Sequence, residues 1–168
     1  MSDTLAPVHA RHATLAWSDA LRLDLDFMDN THQEFVDLLA AVELSEDDEL
    51  LDRFSALIDH TDDHFGSEDR WMQATQFAAS NCHSMQHNVV MQVLREALKR
   101  GNEGDLQLVR DLSRELGAWF PQHAQSMDAA LALHLRRVGF DPVTGIVHQP
   151  DALPEGEIHG CGGSSCSS

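Results

Sequence analysis

Five histidines and two carboxylates in this chain have the spacing of a site for two metal ions: His32, His64, Glu68, His83, His87, His123 and Asp128. Imidazole nitrogens and carboxylate oxygens are common ligands of transition metals in proteins. Seven such groups are too many for one ordinary metal ion, but they suit a pair. They fall on four separate amphipathic stretches, so a fold that packs these stretches together would bring the seven groups to one place.

Two pairs within this set are four residues apart, His64 with Glu68 and His83 with His87. Side chains at this spacing lie on one face of an α-helix, with their Cβ atoms roughly 6 Å apart, so each pair can bind one metal ion or flank a shared one. A single pair of this kind is common on helical surfaces. Two pairs on consecutive helices, each within an apolar stripe, indicate metal ligands, because a histidine among core positions must find a hydrogen-bond partner or a metal.

The other three groups depend more on local backbone geometry. His32 lies three residues before Phe35 and so shares its inward face. His123 and Asp128 are five residues apart, a spacing that a straight α-helix turns by about 140°. A local π-type widening would bring them closer. Pro121 removes one helical hydrogen bond nearby, which is an independent reason to expect an irregular backbone here.

Hydrophobic residues at helical spacing predict four helices, over residues 29–43, from about 48 to 74, 80–100 and 105–137. Because the connections are short, the sequence predicts an all-α, up-down-up-down four-helix bundle. We divide the chain into an N-terminal arm (1–21), the bundle (22–137) and a loose, flexible C-terminal tail (138–168), which holds three of the five prolines. Trp17 in the arm is expected to pack onto the bundle.

Composition limits the partners and the location. The formal net charge of −17 argues against a nucleic-acid partner or an anionic membrane. No apolar run in the sequence approaches the roughly 18 residues of a membrane helix, and no secretory signal is visible. Three cysteines, two of them near the C-terminus, are not a disulfide framework. We therefore expect a cytoplasmic protein and favour a monomer; His159, Cys161 and Cys166 could form an accessory metal or redox site.

The order and spacing of the motifs resemble the hemerythrin family, and bacterial hemerythrins in particular. The matching segments are DNTH at 29–32, HFGSE at 64–68, HSMQH at 83–87 and WFPQHAQSMD at 119–128. All seven ligand positions of that family hold matching residue types, and the resemblance covers roughly residues 15–137. It implies two iron ions, with these ligands: His83, His87 and His123 on one iron, His32 and His64 on the other, and Glu68 and Asp128 bridging both.

The resemblance also implies a function. The iron with two histidines keeps an open position, and dioxygen binds there. We therefore expect reversible dioxygen binding, for transport, storage or sensing, and no enzymatic activity. The side chains expected around the bound oxygen are apolar: Phe65, Trp119, Phe120 and Met127. Phe120 stands where the family usually has an aliphatic side chain, so its bulkier ring could narrow the cavity.

Three other functions stay open. Ferritin-like di-iron oxidases or peroxidases have carboxylate-rich sites with Glu-x-x-His motifs, and no glutamate in this sequence is followed three residues later by histidine. A protein that handles iron or nitric oxide could use the same seven ligands. A metal-free helical interaction protein is disfavoured by the presence of those ligands.

Three further histidines lie outside the set. His60 is one turn before His64 and could be its hydrogen-bond partner, although a histidine satisfied elsewhere is favoured. His134 and His148 are not at ligand spacing. We expect that their replacement changes neither metal binding nor stability.

Overall fold

Four long helical rods form the body of the protein. The computed structural model describes residues 11–77 and 82–156. Its helices are α1 (Asp26–Leu44), α2 (Asp47–Ala74), α3 (Cys82–Asn102), α4 (Leu106–His123) and α5 (Ala129–Val138), and a π-helical segment, Ala124–Asp128, joins the last two into one rod. Successive rods pack against each other, and α1 also packs against α4. The predicted all-α, up-down-up-down four-helix bundle is confirmed.

Local interactions fix where the helices begin and end. Asp105 caps α4, because its carboxylate accepts a hydrogen bond from the amide of Leu108 at 3.2 Å. In the first turn of α1, the carboxylate of Asp29 accepts from the amide of Leu23 at 2.7 Å. Gly139 follows α5 with a φ of +61°, in the left-handed region that glycine adopts readily. These ends set the register in which each helix turns its apolar face inward.

The core consists of two apolar clusters with a polar layer between them. The larger cluster includes Phe35, Leu39, Val42, Leu50, Phe54, Leu57, Leu94, Leu116 and Phe120. The smaller cluster includes Met28, Met72, Phe77, Leu131 and Leu135. Along α1, His32 lies between Met28 of one cluster and Phe35 of the other. Close-packed apolar side chains on both sides therefore hold the helices around the polar layer and keep water from it.

The N-terminal arm packs along the bundle. The amide and the hydroxyl of Thr14 both donate hydrogen bonds to the buried carboxylate of Glu43. Leu15 and Trp17 pack against the larger cluster, which confirms the prediction for Trp17. A Cβ atom at Gly117 would lie 3.1 Å from the Cβ of Thr14, so glycine at this position permits the close approach of the arm to α4.

The chain continues beyond α5 in a hydrogen-bonded turn. Phe140 and Val147 form an isolated β-bridge, and the amide of Asp141 donates to the carbonyl of Ile146 at 2.9 Å. A short 3-10 helix follows at Pro150–Ala152. Residues 139–156, part of the stretch expected to be a loose tail, thus contain defined local structure. The accessory site considered at His159, Cys161 and Cys166 lies outside the described residues.

Two observations relate to the expected cellular setting. Among residues 11–77 and 82–156, no helix is both long and apolar enough to cross a membrane. Cys82, half-buried at the start of α3, is disulfide-bonded. The cysteine count had not indicated a disulfide, so this bond is a finding of the structure.

Candidate metal centre

The fold brings the seven expected metal ligands together in the polar layer of the core. Each of them is at most 3% exposed. Their ligand atoms form two groups, within each of which the atoms lie no more than 4.8 Å apart: Glu68, His83, His87, His123 and Asp128 in one, and His32, His64, Glu68 and Asp128 in the other. We call these the three-histidine half and the two-histidine half. The two carboxylates belong to both.

Glu68 lies between the two halves. Its Oε1 atom is 3.1 Å from Nε2 of His64 and 3.8 Å from Nε2 of His32. Its Oε2 atom is 3.3 Å from Nε2 of His83 and 3.4 Å from Nε2 of His87. One carboxylate oxygen therefore faces each half, which is the arrangement of a bridging ligand.

Asp128 divides its oxygens in the same way. Its Oδ2 atom is 3.3 Å from Nε2 of His32 in the two-histidine half. Its Oδ1 atom is 3.0 Å from Nε2 of His83 and 3.1 Å from Nε2 of His123 in the three-histidine half. Two carboxylates from different helices thus lie between the same two sets of imidazoles.

The π-helical segment allows Asp128 to point into the centre beside His123. The amide of Ala129 donates to the carbonyl of Ala124, five residues back, and a turn of this kind widens the helix by one residue. The extra residue brings His123 and Asp128 to one face, although they are five apart. The predicted π-type widening is confirmed, and Pro121 lies just before it, inside α4.

Several polar atoms in the centre lack hydrogen-bond partners among the described residues. They are Nδ1 and Nε2 of His32, Nδ1 of His64, Oε2 of Glu68, Nε2 of His83 and both carboxylate oxygens of Asp128. Some of these atoms lie 3.0–3.3 Å apart, but their directions do not satisfy one another as hydrogen bonds. A buried polar group left unpaired costs about 1–3 kcal/mol. Metal ions between the imidazoles and the carboxylates would satisfy the Nε2 and carboxylate oxygen atoms of this set, so the residues present fit a metal pair.

Without metal, the carboxylates and the imidazoles of the centre each stabilise the charged form of the other. Burial alone would lower the pKa of His32 and His83, but close contact with the carboxylates of Asp128 and Glu68 raises both pKa values to about 9. Burial and the mutual repulsion of the carboxylates would raise the pKa of Glu68, yet the neighbouring histidines hold it well below its ordinary value. The pKa of Asp128 is likewise held well below its ordinary value, chiefly by His123 acting against burial. Both carboxylates are therefore ionised and able to bind a cation.

Two hydrogen-bond acceptors that the sequence did not reveal lie at the outer ring nitrogens, Nδ1, of His87 and His123 in the three-histidine half. Nδ1 of His87 is 3.3 Å from Oδ1 of Asp69, and Nδ1 of His123 is 3.3 Å from Oε1 of Gln86. The hydroxyl of Ser84 also donates to Oδ1 of Asp69, at 2.8 Å. Asp69 directly follows a ligand in sequence, but its partner is on another helix, so no spacing rule indicated the contact.

Aromatic rings cover the histidines unequally. Phe65 stacks on His87 with ring centroids 3.9 Å apart and planes 4° apart, and Trp119 stacks on His123 at 4.4 Å. Both rings thus lie against the three-histidine half. Both had been expected around the open position of the other half. Phe65 also lies 5.3 Å from the ring of His64, whereas the histidine that Trp119 contacts is His123 of the three-histidine half.

The rings of Phe120, on α4, and Phe35, on α1, lie against the two-histidine half. Phe120 meets His32 edge-on at 5.1 Å and stacks on Phe35 at 4.4 Å. Phe35 in turn meets the ring of His64 at 6.5 Å. Phe35 was expected only as a core residue, since its helical spacing gives no sign of a site. Met127 is half-buried beside Asp128.

Two further histidines have partners away from the ligands. The ring of His60 donates from Nε2 to the backbone carbonyl of Thr31 at 3.2 Å, so its hydrogen bond is to the chain and not to His64. His134 is 7% exposed, donates from Nε2 to the carbonyl of Thr75 at 3.0 Å and stacks on Phe77. The burial of its ring argues against the expectation that replacing His134 leaves stability unchanged.

Comparisons with known proteins agree with this geometry. The family model described as "Hemerythrin HHE cation binding domain" matches residues 23–133. A bacteriohemerythrin of Ralstonia nicotianae is 36% identical over 127 residues, which are 76% of this chain and 93% of that protein. Bacteriohemerythrins of Stenotrophomonas maltophilia and Methylococcus capsulatus are each 24% identical, over 71% and 69% of this chain and 80% and 92% of their own lengths. The resemblance found in the motifs is thereby confirmed, and the chain belongs to the hemerythrin family, whose members are di-iron, oxygen-binding proteins.

Proposed function

We propose that this protein holds two iron ions and binds dioxygen reversibly. The proposed ligands are His83, His87 and His123 for one iron, His32 and His64 for the other, and Glu68 and Asp128 as bridges. The observation that carries the proposal is the division of both carboxylates, each of which turns one oxygen to each half. Imidazole and carboxylate are suitable ligands for iron.

The unequal number of histidines supports an open position at one metal. The three-histidine half offers three nitrogens and two carboxylates, whereas the two-histidine half offers two nitrogens and the same two carboxylates. Metal centres that bind small molecules keep a coordination position free of protein ligands. An iron pair in this site would supply the electrons that dioxygen takes up on binding.

The chain's own residues would favour a small neutral ligand. The rings of Phe35 and Phe120 are at most 1% exposed and lie against the histidines of the two-histidine half. An apolar surrounding of this kind limits the access of water and protons to a metal site. It favours retention of bound oxygen over its loss by reaction.

The proposal of a binding protein and not an enzyme rests on the ligand types. The centre contains five imidazoles and only two carboxylates, whereas ferritin-like oxidases use glutamates from all four helices. A histidine-rich centre is suited to holding iron through cycles of oxygen binding and release.

Anaerobic loading with ferrous iron, followed by metal analysis and optical spectroscopy, tests the proposal. We expect about two irons per chain and a visible absorption band that appears with oxygen and disappears on deoxygenation. A single zinc ion per chain, with no uptake of ferrous iron, would contradict the di-iron assignment. Rapid multi-turnover oxidation of added ferrous iron would instead identify an oxidase.

A further inference from the structure

Asp69 makes a contact that the proposed function does not use. It follows the bridging residue Glu68 on α2, but its half-buried carboxylate faces α3. Oδ1 of Asp69 lies 3.3 Å from Nδ1 of His87 and accepts a hydrogen bond from the hydroxyl of Ser84 at 2.8 Å. The carboxylate is thus held by Ser84 against the side of the His87 ring that faces away from the metal site.

This contact determines which nitrogen of His87 carries the proton. An ionised carboxylate can only accept hydrogen bonds, so Nδ1 must be the protonated nitrogen. Nε2 points into the centre, 3.3 Å from Nε2 of His123 and 3.4 Å from Oε2 of Glu68, and with Nδ1 turned to Asp69 it is the nitrogen that faces the metal site. The parallel ring of Phe65, 3.9 Å away, restrains the plane of the imidazole. The tautomer and the orientation of His87 are therefore both set for metal binding.

Among the residues that the structure describes, the two-histidine half has no equivalent support. Nδ1 of His32 and Nδ1 of His64 are buried and have no hydrogen-bond partner among the described residues. In the three-histidine half, His123 has the neutral amide oxygen of Gln86 at 3.3 Å, and His87 has a charged acceptor. A carboxylate behind a ligating histidine fixes the ring and makes its metal-binding nitrogen more basic.

We propose that Asp69 is a positioning residue that makes the three-histidine half the tighter of the two metal positions, the first to fill and the last to empty. This inference rests on the proposed function in that it assumes two metal positions. It extends that function by giving the two positions different affinities, through a residue that binds neither metal. Loss of such an acceptor typically weakens metal binding by about 10- to 100-fold.

The first test measures iron affinity by competition with a ferrous chelator under anaerobic conditions. The parent protein is compared with Asp69→Asn, which keeps the shape and removes the charge, and with Asp69→Glu, which keeps the charge. Asp59→Asn is the matched control, because Asp59 is an exposed aspartate on the same helix. We expect the tighter iron to bind about 10- to 100-fold more weakly in Asp69→Asn, with partial recovery in Asp69→Glu and no change in Asp59→Asn. Equal affinities in Asp69→Asn and Asp59→Asn would overturn the proposal.

A second measurement does not depend on iron. The 15N chemical shifts of the His87 ring in the metal-free protein report which nitrogen is protonated. We expect the Nδ1–H tautomer in the parent protein and loss of that preference in Asp69→Asn, because an amide can donate as well as accept. An Nε2–H tautomer of His87 in the parent protein would overturn the proposal.

The two measurements also separate this inference from the function on which it rests. Uptake of fewer than two irons by the parent protein would contradict the di-iron function. The role of Asp69 would still be decided by the His87 tautomer and by whether Asp69→Asn weakens the metal that does bind.

Discussion

The two halves of the metal centre share their carboxylates but differ in what stands behind their histidines. In the three-histidine half, His87 and His123 have hydrogen-bond acceptors at Nδ1 and stacked aromatic rings on their faces. In the two-histidine half, Nδ1 of His32 and of His64 lacks a partner among the described residues, and Phe120 meets His32 edge-on. One half is thus built to hold its ligands in a fixed geometry. The other combines fewer ligands with an apolar surrounding, which suits exchange of a small molecule.

The largest effect should come from removing a residue that both halves share. Asp128→Ala takes one oxygen from each group, so we expect the iron content to fall from about two to less than one per chain. The stabilisation that metal gives to the folded state, about 4 kcal/mol at a thousandfold excess over Kd, should largely disappear. Metal analysis and thermal melting with and without iron measure both effects.

The matched control for that variant is His148→Ala, because His148 is exposed and outside the centre. It should retain its iron and melt like the parent protein. His134→Ala is unsuitable as a control, since the buried ring of His134 contributes to the core. Equal iron loss in Asp128→Ala and His148→Ala would contradict the assignment of Asp128 as a bridge.

Replacing one histidine of each half in turn should show which half binds iron more tightly. His64→Ala leaves the three-histidine half intact, so we expect about one iron per chain to survive mild treatment with a chelator. His87→Ala removes a ligand from the better-supported half, so less than one iron should survive. Iron content after gel filtration is the measurement. If His64→Ala lost more iron than His87→Ala, the order of affinities would be the reverse of the one inferred.

The stability of the metal-free protein should depend on pH in a way that metal abolishes. The pKa values of His32 and His83 are raised from 6.5 to about 9, so their imidazolium forms stabilise the folded state most fully below pH 6.5. This contribution is lost as pH rises through about 9. Metal ligands bind without that proton, so the loaded protein should not lose stability in this range.

Thermal melts of both forms between about pH 7 and pH 10 measure this dependence. The metal-free form should show the larger fall in melting temperature. Parallel curves for the two forms would mean that the charged imidazoles do not stabilise the metal-free centre. Since His32 and His83 belong to different halves, the test applies to the centre as a whole.

The smallest effect should come from the ring against the two-histidine half. Phe120→Leu should cost about 1–2 kcal/mol of stability through lost packing and should leave the iron content unchanged. It should speed oxygen binding several-fold in stopped-flow mixing, because it removes part of the ring that meets His32. Phe54→Leu is the matched control, since Phe54 is also fully buried in the larger cluster but makes no ring contact with a ligand histidine among the described residues. Equal oxygen-binding rates in the two variants would show that Phe120 does not limit access.

Much of the fold and the centre was predictable because it follows periodicity. Apolar residues at helical spacing predicted four helices, and their short connections predicted the bundle. The residue types of the ligands, and the pairs four apart on α2 and α3, predicted a two-metal site. Even the π-helical segment was predictable, because the spacing of His123 and Asp128 conflicts with a straight α-helix.

The sequence by itself therefore determined which residues meet and what kind of ligand they are suited to bind, since helical periodicity and side-chain chemistry are local properties. Only the tertiary structure decided which other residues contact the ligand side chains. The contact of Asp69 with His87 and that of Phe120 with His32 each join two helices, and no spacing along the chain encodes how neighbouring helices rotate and slide against each other. Packing of the two apolar clusters fixes that relative position. It thereby gives the two halves their different surroundings.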